Sequence, residues 1–346
     1  MKTRIFLMVA LIATVCITAC SDQQVVVKKT GGQEISFRLQ GGMPETATRA
    51  LATTIKNLEA FVVYGTDDVL AATNDLLFEE VTVARIFGTN DFTYAPKVYY
   101  SENATNAGFF AFAPVSADVN NTNLTALLSG ASFDYTVPAP DRTGDASQED
   151  LLVALTAPVT PSVTPVPLEF EHALARIFIT AVNETPDPII IKSLKLLNLA
   201  TTGTFNIAPP PSFAWGWVPD MSTAITSEYE YILPQSGVAV PATAVKYYVT
   251  SEEQGMLILP QTATNAAPFD AYDPDDFALE VTYDLANLKD QPKHIVIYDD
   301  TALPTPKEWE FEMGKQYRIN ITFTGTAIEF DVTVHTFDAE IDVTTM

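Results

Sequence analysis

The chain predicts an all-β protein built from β-sandwiches, and three features carry that expectation. Threonine, valine, phenylalanine and tyrosine are abundant, apolar and polar residues alternate in short runs, and Pro, Gly, Asn and Asp separate those runs. Alternation of this kind turns one side of each strand to a core and the other to solvent. Representative runs are Phe61-Val62-Val63-Tyr64, Val81 to Phe87, Ala175 to Thr180 and Tyr317 to Phe323. Helical periodicity is short, and the pattern admits helices only near 123–129 and 283–288.

The first nineteen residues read as a secretory signal. Lys2 and Arg4 form a positive start, and Ile5 to Ile17 form an apolar core too short to span a bilayer comfortably. Thr18-Ala19 lead directly into Cys20, and polar Ser21-Asp22-Gln23-Gln24 follow. This resembles a bacterial lipobox, in which signal peptidase II cuts before a cysteine that carries acyl chains. Several chains on one residue anchor durably, since each buried methylene adds roughly 0.8 kcal/mol. The competing reading is a plain signal peptide with an incidental cysteine. Cys16 lies in the discarded segment, so the mature chain holds no second thiol for Cys20 and no internal disulfide.

Next comes a strand-like segment, Glu34 to Gln40, apolar at Ile35, Phe37 and Leu39 and polar between. The glycine-bearing stretch Gly41 to Arg49 follows, an accessible protease site. A trypsin-like cut after Arg49 detaches Cys20 to Arg49 from a body that begins at Ala50 and lacks one strand. In the middle, Thr156 to Pro167 carries four prolines, which deny ladder hydrogen bonds and favour extended chain. The expected organisation is therefore a signal over 1–19, a removable segment over 20–49, one sandwich over 50–160 and a second over 161–346. A proline-bearing edge strand within a single domain is the alternative.

Charge and motifs narrow the function. The formal charge of −24 becomes −26 once Lys2 and Arg4 are gone, which opposes phosphate backbones, so no nucleic-acid partner is expected. His172, His294 and His335 lie far apart in no metal-ligand spacing, and no cofactor or metal is expected. No Gly-x-Ser-x-Gly turn, phosphate-cradling loop or free mature thiol is present, so nothing specific points to an enzyme. The acidic run Asp270 to Asp276 lacks the glycine and distal glutamate of an EF-hand loop and reads as a solvated turn. Phe213, Trp215 and Trp217 alternate around Gly216; they either offer a stacking platform for a glycan or pack into the core as strand aromatics do.

At the far end, Ile328 to Val334 is apolar at even positions. After His335-Thr336 the phase changes, and Phe337, Ala339, Ile341 and Val343 are apolar at odd positions. A groove vacated by Ile35, Phe37 and Leu39 is therefore matched by Phe337, Ala339, Ile341 and Val343 from a neighbouring copy, giving a head-to-tail polymer by strand donation. Two ordinary terminal strands in a monomer remain the alternative.

Taken in order, several stretches are similar to the fimbrillin family of Bacteroidales lipoproteins, the subunits of type V pili. They are the lipobox; Thr48-Arg49-Ala50 ahead of Asn57 to Tyr64; Asp150 to Ala154; Leu168 to Ile177; Leu257 to Gln261; and Trp309 through Gly314 to Tyr317. The resemblance implies two transthyretin-like β-sandwich domains in tandem, the second beginning near Leu168. It implies Cys20 as lipid acceptor at the outer membrane, an arginine-specific protease cutting between Arg49 and Ala50, and donation of Phe337 to Val343 to other copies or related pilus subunits. His172 is implied as a packed structural residue. Anchor subunits keep the lipid, stalk subunits lose it and tip subunits need no donor strand; Arg49 and the alternating C-terminus favour a polymerising subunit that supports adhesion. A monomeric lipid-anchored module binding a glycan or protein ligand is the competing function.

Overall fold

A computed structural model describes residues 32–39, 58–68, 76–121 except 88 and 90, 130–140, 148–296 except 157, 210–211, 225–227, 244, 251–254, 264–276 and 287, and 309–336 except 325–327. The fold is all-β, as the alternation predicts; the helix among the described residues is the single turn Met221–Ala224. The expected helix near 123–129 and the acidic run 270–276 lie outside the described residues.

The helix expected near 283–288 is a correction. Tyr283 closes into the strand Ala278–Leu285, and Leu288 opens the strand Leu288–Val296 that pairs antiparallel with it. Ala286 and Asp290 take left-handed backbone (φ 51° and 50°). The Asp290 N–H donates to Asp284 Oδ1 at 2.9 Å, and Lys289 Nζ donates to Asp284 Oδ2 at 3.2 Å. An aspartate that caps its own turn competes with helix, and here it wins.

One six-stranded sheet organises the N-terminal part. Its order is Glu171–His172, Leu152–Leu155, Ala107–Ala113, Ala60–Asp67, Leu76–Arg85, Phe92–Thr93. The strands Ala60–Asp67 and Ala107–Ala113 are buried almost throughout, because each of their faces meets a different core. Phe61, Val63, Phe109 and Ala111 turn to a smaller core with Ile35, Phe37, Phe78, Tyr94 and Leu168. Val62, Tyr64, Phe110 and Phe112 turn to the larger one, with Phe133, Phe205, Ile319 and Leu279. That double duty explains why both strands read as near-continuous apolar runs. Gly65 is required in the first of them: a Cβ there would lie 2.5 Å from Cδ1 of Phe109, so the glycine leaves room for that ring.

The larger core is enclosed by three more sheets. In one, Ala175–Asn183 runs parallel to Lys315–Phe323, which pairs antiparallel with Ile328–Thr336. In another, Ile189–Leu197 pairs with Ala278–Leu285. The third joins Ala131–Thr136 to Thr202–Ile207 and Trp215–Pro219, so strands from both sides of the expected 160/161 boundary share a ladder. The end of the proline stretch is also strand: Val166–Leu168 pairs with Phe37–Leu39. Val81 to Phe87 shortens to a strand that ends at Arg85, where a turn begins.

Candidate strand-acceptor site

The segment 32–39 is held by a short ladder, by backbone hydrogen bonds on both sides and by its buried side chains. Phe37–Leu39 pairs in parallel with Val166–Leu168 over three residues. On the other side, Ile35 N–H donates to Val98 O and Tyr100 N–H to Gln33 O, each at 3.0 Å. Val166 N–H donates to Ser36 O at 2.7 Å. Alternation then does what it does in a half-buried strand: Ile35 and Phe37 are buried at 0% and 4% exposure, Leu39 is half-buried, and Glu34 and Arg38 face solvent.

Phe37 is the anchor. Its ring meets four others, Phe61, Phe78, Tyr94 and Phe109, at centroid distances of 6.1, 5.4, 6.1 and 5.4 Å, three of them edge-to-face. Such pairs add roughly 0.5–1.5 kcal/mol each beyond area burial. Tyr94 also clamps the backbone, since its hydroxyl donates to Ile35 O at 2.5 Å. Burial pushes the Tyr94 phenol well above its ordinary range, and pushes Tyr100 nearby up to about 12. Lys97 lies 5.0 Å over the Tyr94 ring and pairs with Glu34 at 3.0 Å, an exposed contact of small worth.

The segment thus lies in an apolar groove. Its aromatic floor takes alternate apolar side chains, and its walls present a short strand and an irregular segment for main-chain pairing, which is the arrangement of β-augmentation. Tyr94, Val98 and Val166 were not expected as its walls. Alternating Val166-Pro167-Leu168 was the available signal, masked by the surrounding prolines.

The other expected residues lie apart from the groove or outside the described residues. Cys20, Arg49, Ala50, Phe337, Ala339, Ile341 and Val343 are all outside them. Among the described residues the strand Ile328–Thr336 is the edge of its sheet, and it precedes 337–343 in the chain. Trp215 and Trp217 share a strand; Trp217 Nε1 donates to Ala173 O at 2.6 Å, and its ring packs on Phe133, Tyr135 and Phe205. Trp215 packs on Phe205, and Phe213 precedes the strand in left-handed backbone (φ 47°). His172 Nδ1 is hydrogen-bonded to the buried Asp150 carboxylate, joining two adjacent strand ends of the six-stranded sheet.

Comparison with known proteins gives the chain relatives. The model of the family described as Fimbrillin-like matches residues 48–336. No curated protein matches the sequence. Among solved structures, a fimbrial protein from Bacteroides vulgatus is similar with a TM-score of 0.57 at 13% identity, over 88% of this chain and 99% of that one. A proposed cell adhesion protein from Bacteroides uniformis has a TM-score of 0.49 at 17% identity, over 88% and 99%. A tip fimbrial protein from Porphyromonas gingivalis, truncated at its C-terminus, has a TM-score of 0.44 at 10% identity, over 81% and 94%.

Proposed function

Since the chain belongs to the fimbrillin-like family, whose model spans most of its length, we propose that it is a structural subunit of a cell-surface fimbrium that polymerises by strand donation. In this reading the protein is exported as a lipoprotein on Cys20 and cut between Arg49 and Ala50. Phe337, Ala339, Ile341 and Val343 of a neighbouring subunit then occupy the groove left by Ile35, Phe37 and Leu39.

The observation that supports the reading best is how the segment 32–39 is held. Arg49 stands between Leu39 and Leu58, so an intact chain keeps the strand beside its groove at high effective concentration. Cutting at Arg49 removes that tether and leaves the segment held by non-covalent contacts alone: the three-residue ladder, the backbone hydrogen bonds to Val98, Tyr100 and Val166, the Tyr94 hydroxyl and the side chains of Ile35, Phe37 and Leu39. The vacated floor of Phe61, Phe78, Tyr94 and Phe109 is then an exposed apolar patch that a strand of the same alternation covers. Growth is head-to-tail, because donor and acceptor are different segments of the chain.

The intact mass of protein sheared from the cell surface tests this. A mass fitting Ala50 to Met346 without acyl chains is the expected result. Acylated Cys20 to Met346, recovered as a monomer, contradicts a polymerising role and favours an anchor or a lipid-held binding module.

A further inference from the structure

The main-chain frame around the segment 32–39 fixes where each of its residues sits. Glu34 stands directly across from Tyr99 in an antiparallel bridge, closed by the bonds of Ile35 N–H to Val98 O and of Tyr100 N–H to Gln33 O. The Glu34 carboxylate then reaches Lys97, whose ammonium also lies over the Tyr94 ring. Further along, Ile35 is fully buried, Phe37 fills the space among its four rings and Leu39 is half-buried. A strand that replaces the segment meets this order: a place beside Lys97 that suits an acid, then apolar sites at every second residue.

Those demands separate the registers open to 337–346. The stretch contains no proline, so every main-chain N–H is available to the frame, and Asp338, Glu340 and Asp342 make its polar face acidic. Thr336 pairs with Lys315 in its own sheet, so Phe337 cannot take the site of Ile35 without drawing Thr336 from that ladder. Asp338 beside Lys97 would set Ala339 in the fully buried site of Ile35, and Asp342 there would set Thr345 among the four rings. Glu340 beside Lys97 repeats the native pair Glu34-Ile35 as Glu340-Ile341 and sets Val343 in the site of Phe37. It also leaves Phe337 to Ala339, roughly 10 Å of extended chain, to cross into the groove. Run in the opposite direction, Ile341 in the site of Ile35 would set Ala339 among the rings, and Val343 there would set Thr344 beside Lys97. Ala339 there would draw Thr336 and His335 out of their ladder.

Resting on the reading of the groove as a strand acceptor, we infer that a neighbouring copy donates its C-terminus in one register, running in the same direction as the segment it replaces. Glu340 lies beside Lys97, Ile341 in the site of Ile35 and Val343 in that of Phe37. Lys97 is exposed, so its charge sets the register more than it adds affinity. Valine leaves part of the Phe37 space empty. The donor therefore holds less tightly than the strand it replaces, and exchange waits for the cut that untethers that strand.

The test uses cells that export and assemble the full chain. Tyr99→Cys, at a half-buried position across from Glu34, is combined in turn with Asp338→Cys, Glu340→Cys and Asp342→Cys. Sheared polymers are oxidised with copper phenanthroline and run on denaturing gels without reductant. A ladder of covalently joined subunits is expected from Glu340→Cys and from neither of the others, since a disulfide closes only where the two Cα atoms lie about 4.4–6.8 Å apart. Filling the Phe37 space gives a second readout. Val343→Phe should lower the subunit concentration at which polymers fall apart by roughly tenfold, whereas Ile341→Phe, forced into a fully buried site, should raise it. A ladder from position 338 or 342, a ladder from none of the three, or polymers strengthened by Ile341→Phe and not by Val343→Phe overturns the register. Deleting 337–346 separates the two claims. If polymers persist without those residues, the groove reading fails and the register with it; if they are lost while the ladder comes from 338 or 342, the register fails alone.

Discussion

Phe37 sets the energetics of the acceptor site. Truncating it removes a buried ring from four aromatic neighbours around a floor of fixed strands, so the site cannot collapse to fill the void. Phe37→Ala is expected to cost about 3–5 kcal/mol in a chain that keeps residues 20–49, read from urea unfolding. Leu39→Ala, at a half-buried position, costs less. Equal effects at the two positions would show that the segment is held by its ladder and not by its anchor. The same residue also shows how the sequence could be read: apolar Ile35, Phe37 and Leu39 at alternate positions announce a buried strand face before any fold is known.

For the chain's own segment 32–39 as an element, the Tyr94 hydroxyl is the clamp, and it makes the clamp sensitive to alkali. Burial raises the folded phenol above its unfolded value of about 10. The stability it contributes is therefore complete below that pH and declines as pH rises past it. Tyr94→Phe lacks the bond to Ile35 O and starts about 1 kcal/mol less stable at neutral pH. Its deficit should shrink above pH ~10, where the wild type's phenol ionises on unfolding while burial holds it neutral in the fold, and the variant has no phenol to ionise. Urea midpoints at a series of pH values check this, and parallel curves for the two proteins would rule out the clamp.

Elements were legible in the sequence where alternation is local. The strands Ala60–Asp67, Ala175–Asn183 and Lys315–Phe323 contain the runs Phe61 to Tyr64, Ala175 to Thr180 and Tyr317 to Phe323. Their partners were not legible. The parallel pairing of Ala175–Asn183 with Lys315–Phe323 and the ladder between Ala131–Thr136 and Thr202–Ile207 depend on residues far away in the chain, and periodicity carries no such information. The misread turn near 283–288 has a local cause, the Asp284 side chain capping the backbone of Asp290. The groove was half legible: its occupant shows in the pattern of 34–40, whereas its wall at Val166–Leu168 hides in a stretch that four prolines make look like a linker.

At the scale of the whole molecule, the two cores share one sheet and have different vulnerabilities. The larger core is enclosed by ladders many residues long. The smaller one is completed by the segment 32–39, which the proposed cut at Arg49 would untether and make replaceable. Replacement by the C-terminus of a neighbour is the central claim, and peptide complementation of the body tests it most directly. Material processed to Ala50–Met346 is stripped to monomers and its melting temperature is followed as synthetic peptides covering 32–39 or 336–346 are added. Both peptides should raise it in a saturable way, and a 336–346 peptide carrying Ile341→Asp should not. A body that melts at the same temperature with and without either peptide would contradict the account.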